Sequence, residues 1–237
     1  MSEKMVIDNE TKDLVKRLSR FYSGVVHDIL DNIGIPGLFK DIKLMGALPE
    51  AGKICAPAVT LQMRKSYSKI AQWEVYEAID IGDGHILVID SDGSNGGTGS
   101  VFGGLMSTGA KINGLLGTIV DGSVRDIEEV KKIGYPLYAK KIEPITTFGR
   151  LICTGLNVTI ECAGIKVSSG DVIFADLDGA VRVPRHALGK VVEMGEKLFN
   201  EENSYERDIK KGIPLMKVFA NMEGVEENIK IKNYIRP

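Results

Sequence analysis

The fold is decided by residues 103–134, GGLMSTGAKINGLLGTIVDGSVRDIEEVKKIG, in which a strand pattern lies between two helical patterns. The glycine pair precedes a helix predicted near 104–113, and the apolar run LLGTIVD predicts a strand over 115–121. The segment GSV then predicts a turn, and apolar residues at a spacing of three predict a helix over 125–133. Together with the buried-strand pattern HILVID at 85–90, these alternating elements indicate an α/β layered core.

The flanking segments contribute further helices and a β-rich region. Residues 11–33 predict two helical pieces, 53–63 a strand and 66–80 another helix. Between 137 and 184, strand-like segments are separated by Gly- and Asp-containing turns with no helical pattern between them. This arrangement favours a second sheet packed on the first over a doubly wound sheet. Residues 185–203 return to a helical pattern.

Composition excludes several classes of protein. The chain has 237 residues, of which 43% are hydrophobic and 26% charged, so a disordered chain is excluded and a sizeable core is expected. Its 30 Lys and Arg against 32 Asp and Glu provide no basic excess, so we expect no nucleic-acid partner. We expect no membrane association and a cytoplasmic location, since neither an apolar span nor a signal-peptide pattern is present.

Cysteine and histidine offer no local catalytic or metal motif. The cysteines are odd in number and form no C-x-x-C pair, which disfavours both a disulfide framework and a thiolate zinc site. The histidines are far apart in sequence, and ordinary helix, strand or surface positions are the simpler interpretation. These residues are Cys55, Cys153, Cys162, His27, His85 and His186.

The best candidate for chemistry is the glycine pair and the segment DGSVRD about twenty residues later. Glycines that open a helix let a ligand approach backbone N–H groups that have no intrahelical partner, which favours a carboxylate or phosphate. The strand over 115–121 should lie beside 85–90 and deliver Arg125 and Asp126 at its carboxyl end. Arginine can clamp a carboxylate, and aspartate can hold Mg²⁺. On spacing alone, a solvated helix start remains the alternative.

At these residues the sequence resembles the RraA-like family, which includes class II 4-hydroxy-4-methyl-2-oxoglutarate/4-carboxy-4-hydroxy-2-oxoadipate aldolases and the regulator of ribonuclease E activity A. The resemblance is carried by residues 103–130 and by SGVVHDILDNIG, APAVT and SSGDVIFADLDGAVRVP. It implies a swivelling β/β/α layered domain with a C-terminal helical extension, assembled as a homotrimer or homohexamer. We expect one such domain over 1–203 and an extension over 204–237 that packs on its own or a neighbouring subunit.

The resemblance also implies roles for individual residues. The backbone of Gly103, Gly104, Leu105 and Met106 would bind the substrate's pyruvoyl end. Arg125 would be catalytic, binding the carboxylate and enolate oxygen. Asp126 would ligate a divalent cation, Mg²⁺ or Mn²⁺, supported by Glu129 through water. Gly104 departs from the family, which has an acid there. A neighbouring subunit's helix could supply an acid, with the candidates Glu193, Glu196, Glu201 and Glu202.

The implied function is a metal-dependent lyase that cleaves a 4-hydroxy-2-oxo dicarboxylic acid to pyruvate, decarboxylates oxaloacetate, or does both. A Schiff-base aldolase is disfavoured, because Lys111 is the only lysine between the glycine pair and Asp126 and a solvated helix position accounts for it. The alternative is a non-catalytic protein that binds a ribonuclease, as the regulator branch does. A methyltransferase is disfavoured by the lack of a nucleotide-binding glycine loop.

Overall fold

A computed structural model of the chain describes residues 4–70, 73–92 and 99–219. The helices are α1 (Asn9–Leu18), α2 (Ser23–Asn32), α3 (Trp73–Ile81), α4 (Gly104–Ile112), α5 (Ile127–Ile133), α6 (Leu188–Lys210) and α7 (Leu215–Val218). The strands are β1 (Lys43–Leu44), β2 (Ile54–Lys65), β3 (Ile86–Asp90), β4 (Ser100–Phe102), β5 (Gly117–Val124), β6 (Leu137–Ile142), β7 (Leu151–Leu156), β8 (Ile160–Cys162), β9 (Ile165–Val167), β10 (Val172–Ala175) and β11 (Ala180–Val183).

Most strands belong to one mixed sheet. Within the described residues its order is β1-β6-β5-β3-β2-β10-β11, with β4 added beside β5 and β7 beside β2. The pairs β2/β3, β3/β5, β5/β6 and β4/β5 are parallel, whereas β1, β7, β10 and β11 pair antiparallel. The sequence correctly places β5 beside β3, and all five residues of β3 are buried.

The sheet separates two apolar cores, which makes the fold a β/β/α layered one, as the resemblance implied. On one face, Leu87 and Ile89 of β3 share a core with residues of α3, α4 and α5. On the other face, Ile86 and Val88 share a core with residues of the β8–β9 hairpin. A strand whose side chains alternate between two cores must be apolar throughout, and HILVID satisfies this condition.

The structure corrects three sequence-based predictions. The second sheet consists of β8 and β9 alone among the described strands, because the long β2 pairs with both β7 and β10 and so joins them to the main sheet. The predicted turn at 122–124 is wrong, since β5 continues to Val124. The helix predicted over 66–80 begins at Trp73, and residues 66–70 have no regular structure.

The chain forms two compact units, of which the first ends at Val192 and the second begins at Glu193. In the second unit, α6 continues past the predicted domain boundary at 203, and the rings of Tyr205 and Phe219 meet edge to face with centroids 5.6 Å apart. The predicted extension beyond Phe219 lies outside the described residues. No helix of the described part of the chain is both long and apolar enough to cross a membrane.

The turn between β10 and β11 supports the start of α2. The buried carboxylate of Asp176 accepts hydrogen bonds from the backbone N–H and the hydroxyl of Ser23, both at 2.8 Å. It also accepts the N–H of Asp178 at 3.0 Å. The side chain of Tyr22 at the N-cap makes no capping hydrogen bond, so Asp176 satisfies N-terminal donors of α2 from a distant part of the chain.

We therefore expect Asp176→Ala to lower the free energy of unfolding by roughly 2–4 kcal/mol, because buried donors lose a charged acceptor. Urea titration followed by circular dichroism measures this change. The matched control is Asp178→Ala, whose exposed side chain lies in the same turn and should change stability by less than about 0.5 kcal/mol. Equal effects of the two substitutions would contradict the assignment.

Candidate functional site

A pocket of about 340 Å³ lies where the parallel strands β4 and β5 end. This is the edge of an α/β sheet at which ligands usually bind. Its lining residues are Ile70, Tyr76, Ser100, Val101, Phe102, Gly103, Leu105, Met106, Arg125, Asp126, Thr146, Thr147 and Phe148. The pocket therefore brings together the glycine-led start of α4 and the Arg-Asp pair, as the sequence predicted.

Arg125 and Asp126 form a compact charged pair at the end of β5. The Arg125 N–H donates to the carbonyl of Phe102 at 3.0 Å, which ties the end of β5 to the end of β4. The Arg125 Nε lies 3.7 Å from Asp126 Oδ2, and both side chains are about half exposed. Arg125 therefore offers the pocket a half-exposed guanidinium, a group that can bind a carboxylate.

Asp126 adopts an unusual backbone conformation. Its φ of 57° lies in the left-handed region, which costs energy for most side chains and is best tolerated by Asn and Asp. This conformation directs its Oδ2 to accept the N–H of Gly104 at 3.1 Å, so a residue at the start of α5 caps α4. Strained residues of this kind cluster at functional sites.

Gly103 makes this arrangement sterically possible. A Cβ atom at this position would lie 2.6 Å from Asp126 Oδ2, closer than real Cβ atoms come, and 3.1 Å from Arg125 Cγ, which is a tight contact. At Gly104 a Cβ would meet only ordinary contacts, 3.4 Å from Glu129 Cβ and 3.5 Å from Asp126 Cβ. A side chain at position 103 would therefore displace the Asp126 carboxylate, whereas a Cβ at position 104 would fit without such a shift.

The other predicted residues occupy different places. Gly104 and Glu129 do not line the pocket, and the Glu129 carboxylate pairs with Lys132 at 3.0 Å on the exposed face of α5. The role of Glu129 in supporting a metal stays a prediction. The four candidate glutamates from position 193 onward all lie on α6, where Glu193 pairs with Lys197 at 3.0 Å.

Lys111 and the histidines take no part in the pocket. The Lys111 ammonium donates to the carbonyl of Ile133 at the end of α5, an exposed structural contact. None of the three histidines is among the lining residues. His85 is buried with its Nδ1 2.8 Å from the carbonyl of Asp83, and burial lowers the pKa of its ring.

The cysteines behave as apolar residues. All three are free thiols, and Cys55 and Cys162 are buried. Burial raises the pKa of Cys55 to about 12, and burial also raises the pKa of the Cys162 and Cys153 thiols. Since thiolate is the reactive form, none of them is activated as a nucleophile.

The sequence did not predict that residues 146–148 form one wall of the pocket. This loop follows β6 and is tied to β4: the Ser100 N–H donates to the carbonyl of Ile145 at 2.9 Å, and the Ser100 hydroxyl donates to the carbonyl of Glu143. The Glu143 carboxylate in turn accepts the hydroxyl of Ser123 on β5. No motif signals these contacts, because they depend on strand register.

Two buried carboxylates lie side by side just before the site, on β3 and β5. Asp90 and Asp121 are paired positions of these parallel strands. Asp121 lies 2.5 Å from the Lys140 ammonium and accepts the N–H of Ala163 at 2.6 Å, while Asp90 accepts from Arg64 at 2.7 Å. Burial raises the pKa of Asp90 despite the Arg64 guanidinium. Each acid therefore has a cation of its own.

The model of the RraA-like family, described as Aldolase/RraA, matches residues 25–182. The chain belongs to the RraA-like family. Its relatives include an uncharacterized protein of Methanocaldococcus jannaschii, 29% identical over 216 residues that cover 88% of this chain and 100% of that protein. A Halalkalibacterium halodurans protein named "putative 4-hydroxy-4-methyl-2-oxoglutarate aldolase" is 27% identical over 210 residues, covering 87% of this chain and 93% of that protein.

Among solved structures, the chain is similar to Streptomyces coelicolor RraAS2, described as an unusual member of the RNase ES inhibitor RraA protein family. The TM-score is 0.71 at 25% identity, covering 88% of this chain and 98% of that one. The relatives thus carry both enzyme and inhibitor names, and the family alone does not separate the two functions. The fold expected from the resemblance is confirmed.

We expect Gly103→Ala to weaken binding of a small carboxylate such as pyruvate by about 10–100-fold, because the added methyl displaces the Asp126 carboxylate and the Arg125 stem. Ligand-observed NMR measures the affinity. Gly109→Ala is the matched control on the same helix, since its Cβ would meet only Ile79 at 4.0 Å. Retention of affinity by the Gly103 variant would show that the pocket does not depend on this close approach.

Proposed function

We propose that the chain is a divalent-metal-dependent lyase that cleaves a 4-hydroxy-2-oxo acid to release pyruvate. The observation that carries the proposal is the Arg125–Asp126 pair facing a pocket beside the first turn of α4. Membership of the Aldolase/RraA family and the aldolase names of relatives support the same reaction class. Decarboxylation of oxaloacetate, which produces the same enolate, is expected as a companion activity.

The Asp126 carboxylate suits a hard divalent cation. Mg²⁺ commonly takes one or two carboxylates and keeps several waters, and Asp126 offers one half-exposed carboxylate inside the pocket. No cluster of three or more His, Cys, Asp or Glu side chains fit for a metal occurs in the described part of the chain, so water and substrate oxygens would complete the shell. A cation bound there supplies Lewis-acid charge beside the substrate's 2-oxo group.

Arg125 has two roles in this proposal. Its guanidinium binds the substrate carboxylate and stabilises the charge that develops on the 2-oxo oxygen. Leu105 and Met106 line the same pocket, and their N–H groups, in the first turn of α4, have no intrahelical partner and would add donors. The Gly104 N–H is occupied by Asp126, so of the four predicted backbone positions it is the one already engaged within the protein.

We expect chelation with EDTA to abolish pyruvate release and added Mg²⁺ or Mn²⁺ to restore it. Arg125→Ala should lower kcat/KM by about 10²–10³-fold, the usual loss for a preorganised donor. Asp126→Asn should raise the metal concentration needed for half activity, since Asn tolerates the left-handed backbone and keeps an acceptor for Gly104 but carries no charge.

The control for these variants is Glu128→Gln, which removes an exposed acid of α5 that pairs with Lys132 and does not line the pocket. It should retain full activity. Metal-independent turnover, or full activity of both site variants, would refute the proposal.

The second candidate function is restraint of a ribonuclease, favoured by the similarity to Streptomyces coelicolor RraAS2. Such a role requires a surface complementary to the ribonuclease and gives Arg125 and Asp126 no catalytic function. Inhibition of a purified ribonuclease that Arg125→Ala leaves unchanged, combined with no turnover of any 2-oxo acid, would replace the lyase proposal with this one. As implied by the resemblance, we also propose that the protein acts as a homotrimer or homohexamer.

A further inference from the structure

We propose that the pocket selects 4-hydroxy-2-oxo monocarboxylates that carry an uncharged, apolar group on C4, such as alkyl or aryl, over dicarboxylic substrates. This inference rests on the proposed lyase function and names its substrate class. It departs from the dicarboxylic substrate that the resemblance implied. The observation that carries it is the chemistry of the side chains around the Arg125–Asp126 pair.

The pocket holds a single cationic side chain among the described residues. Arg125 is that cation and Asp126 the single anion, and they lie 3.7 Å apart. If Arg125 binds the carboxylate next to the 2-oxo group, a second carboxylate finds no guanidinium or ammonium among the described residues that line the pocket.

The neighbouring cations of the loop region are directed elsewhere. The Arg150 guanidinium donates to the carbonyls of Thr146 and Phe148, at 3.2 and 3.4 Å, and so stabilises the loop rather than the cavity. The stem of Lys69 lies against Gly149, since a Cβ there would be 3.5 Å from Lys69 Cγ. Neither side chain lines the pocket.

Part of the remaining wall is apolar, beside the hydroxyl side chains of Ser100, Thr146 and Thr147. Ile70, Tyr76, Leu105 and Phe148 line the pocket and are each about half exposed or more, so they present carbon surface to a ligand. The Ser100 hydroxyl, by contrast, is already bonded to the carbonyl of Glu143. An apolar C4 substituent gains free energy from covering this surface, whereas a carboxylate there loses water without gaining a cation.

The reaction balances without a further reactant. The C3–C4 bond breaks, the C4 hydroxyl loses its proton and becomes the carbonyl of an aldehyde, and the bonding electron pair moves to C3 and the 2-oxo oxygen as an enolate. Protonation of the enolate at C3 yields pyruvate. The C4 substituent leaves unchanged on the aldehyde, so it affects how the substrate binds and not which bonds break or form.

The first test compares binding of ligands that cannot be cleaved. By isothermal titration calorimetry with Mg²⁺ present, 2-oxo-4-phenylbutanoate should bind at least about tenfold more tightly than 2-oxoglutarate. Pyruvate release from 4-hydroxy-2-oxo-4-phenylbutanoate and 4-hydroxy-2-oxoglutarate, followed with lactate dehydrogenase, should show the same order in kcat/KM. Equal or tighter binding of 2-oxoglutarate would overturn the inference even if both substrates are cleaved.

The two proposals fail separately. If the phenyl ligand binds more tightly but neither hydroxy acid releases pyruvate, the lyase function is wrong and the ligand preference stands. If both acids are cleaved and the dicarboxylate is preferred, the function stands and the preference is wrong.

A second cation should reverse the preference. Phe148→Arg places a guanidinium on the half-exposed wall and should shift the affinity ratio toward 2-oxoglutarate by about tenfold or more, as should Tyr76→Arg. Phe148→Leu is the matched control and should keep the preference for the phenyl ligand. Thermal melts establish that each variant is folded, and an unchanged ratio in both folded arginine variants would contradict the inference.

Discussion

The candidate site depends on one contact, the hydrogen bond from the Gly104 N–H to the Asp126 carboxylate at 3.1 Å. It joins the start of α4 to the start of α5, so the ends of two parallel strands and the helices that follow them share one small volume. The contact requires a left-handed backbone at Asp126 and no side chain at Gly103. Both conditions cost conformational freedom, and the fold meets them at the same point, beside the guanidinium of Arg125.

That contact needs a rigid strand behind it, and β5 is held from both sides. The buried Asp121 carboxylate binds the Ala163 N–H and the Lys140 ammonium, and the Asp121 carbonyl accepts the Ser91 hydroxyl at 2.7 Å. Gly122 follows with φ of 156°, and any Cβ there would lie 1.9 Å from the Ser91 hydroxyl, so this position requires glycine. A buried carboxylate is costly unless it is paired and hydrogen-bonded, and here it is both.

Local patterns predicted the elements next to the site, and long-range register determined the rest. The strand HILVID, the helix after Gly103 and the parallel neighbour β5 follow from apolar periodicity and glycine placement, and Arg125 and Asp126 follow from the end of that strand. The predicted turn at 122–124 failed because glycine in a strand has the same local signal as glycine in a turn. The wall at 146–148 had no signal, since hydrogen bonds from β4 and β5 place it. The second sheet was predicted, but its limitation to β8 and β9 among the described strands was not, because that depends on the length of β2.

The residues that the sequence predicted are those proposed to carry the reaction, whereas most residues that it did not predict line the substrate-binding wall. The charged pair lies on elements that the core fixes, where a change of register would disturb two apolar clusters. The apolar part of the wall comes from exposed side chains on α3, on Ile70, on the first turn of α4 and on the loop after β6, and these can be exchanged at little cost to the fold. Membership of a family therefore supports a shared reaction class while leaving the substrate open. Under the proposed function, the walls around Arg125 and not the fold would determine which 2-oxo acid fits.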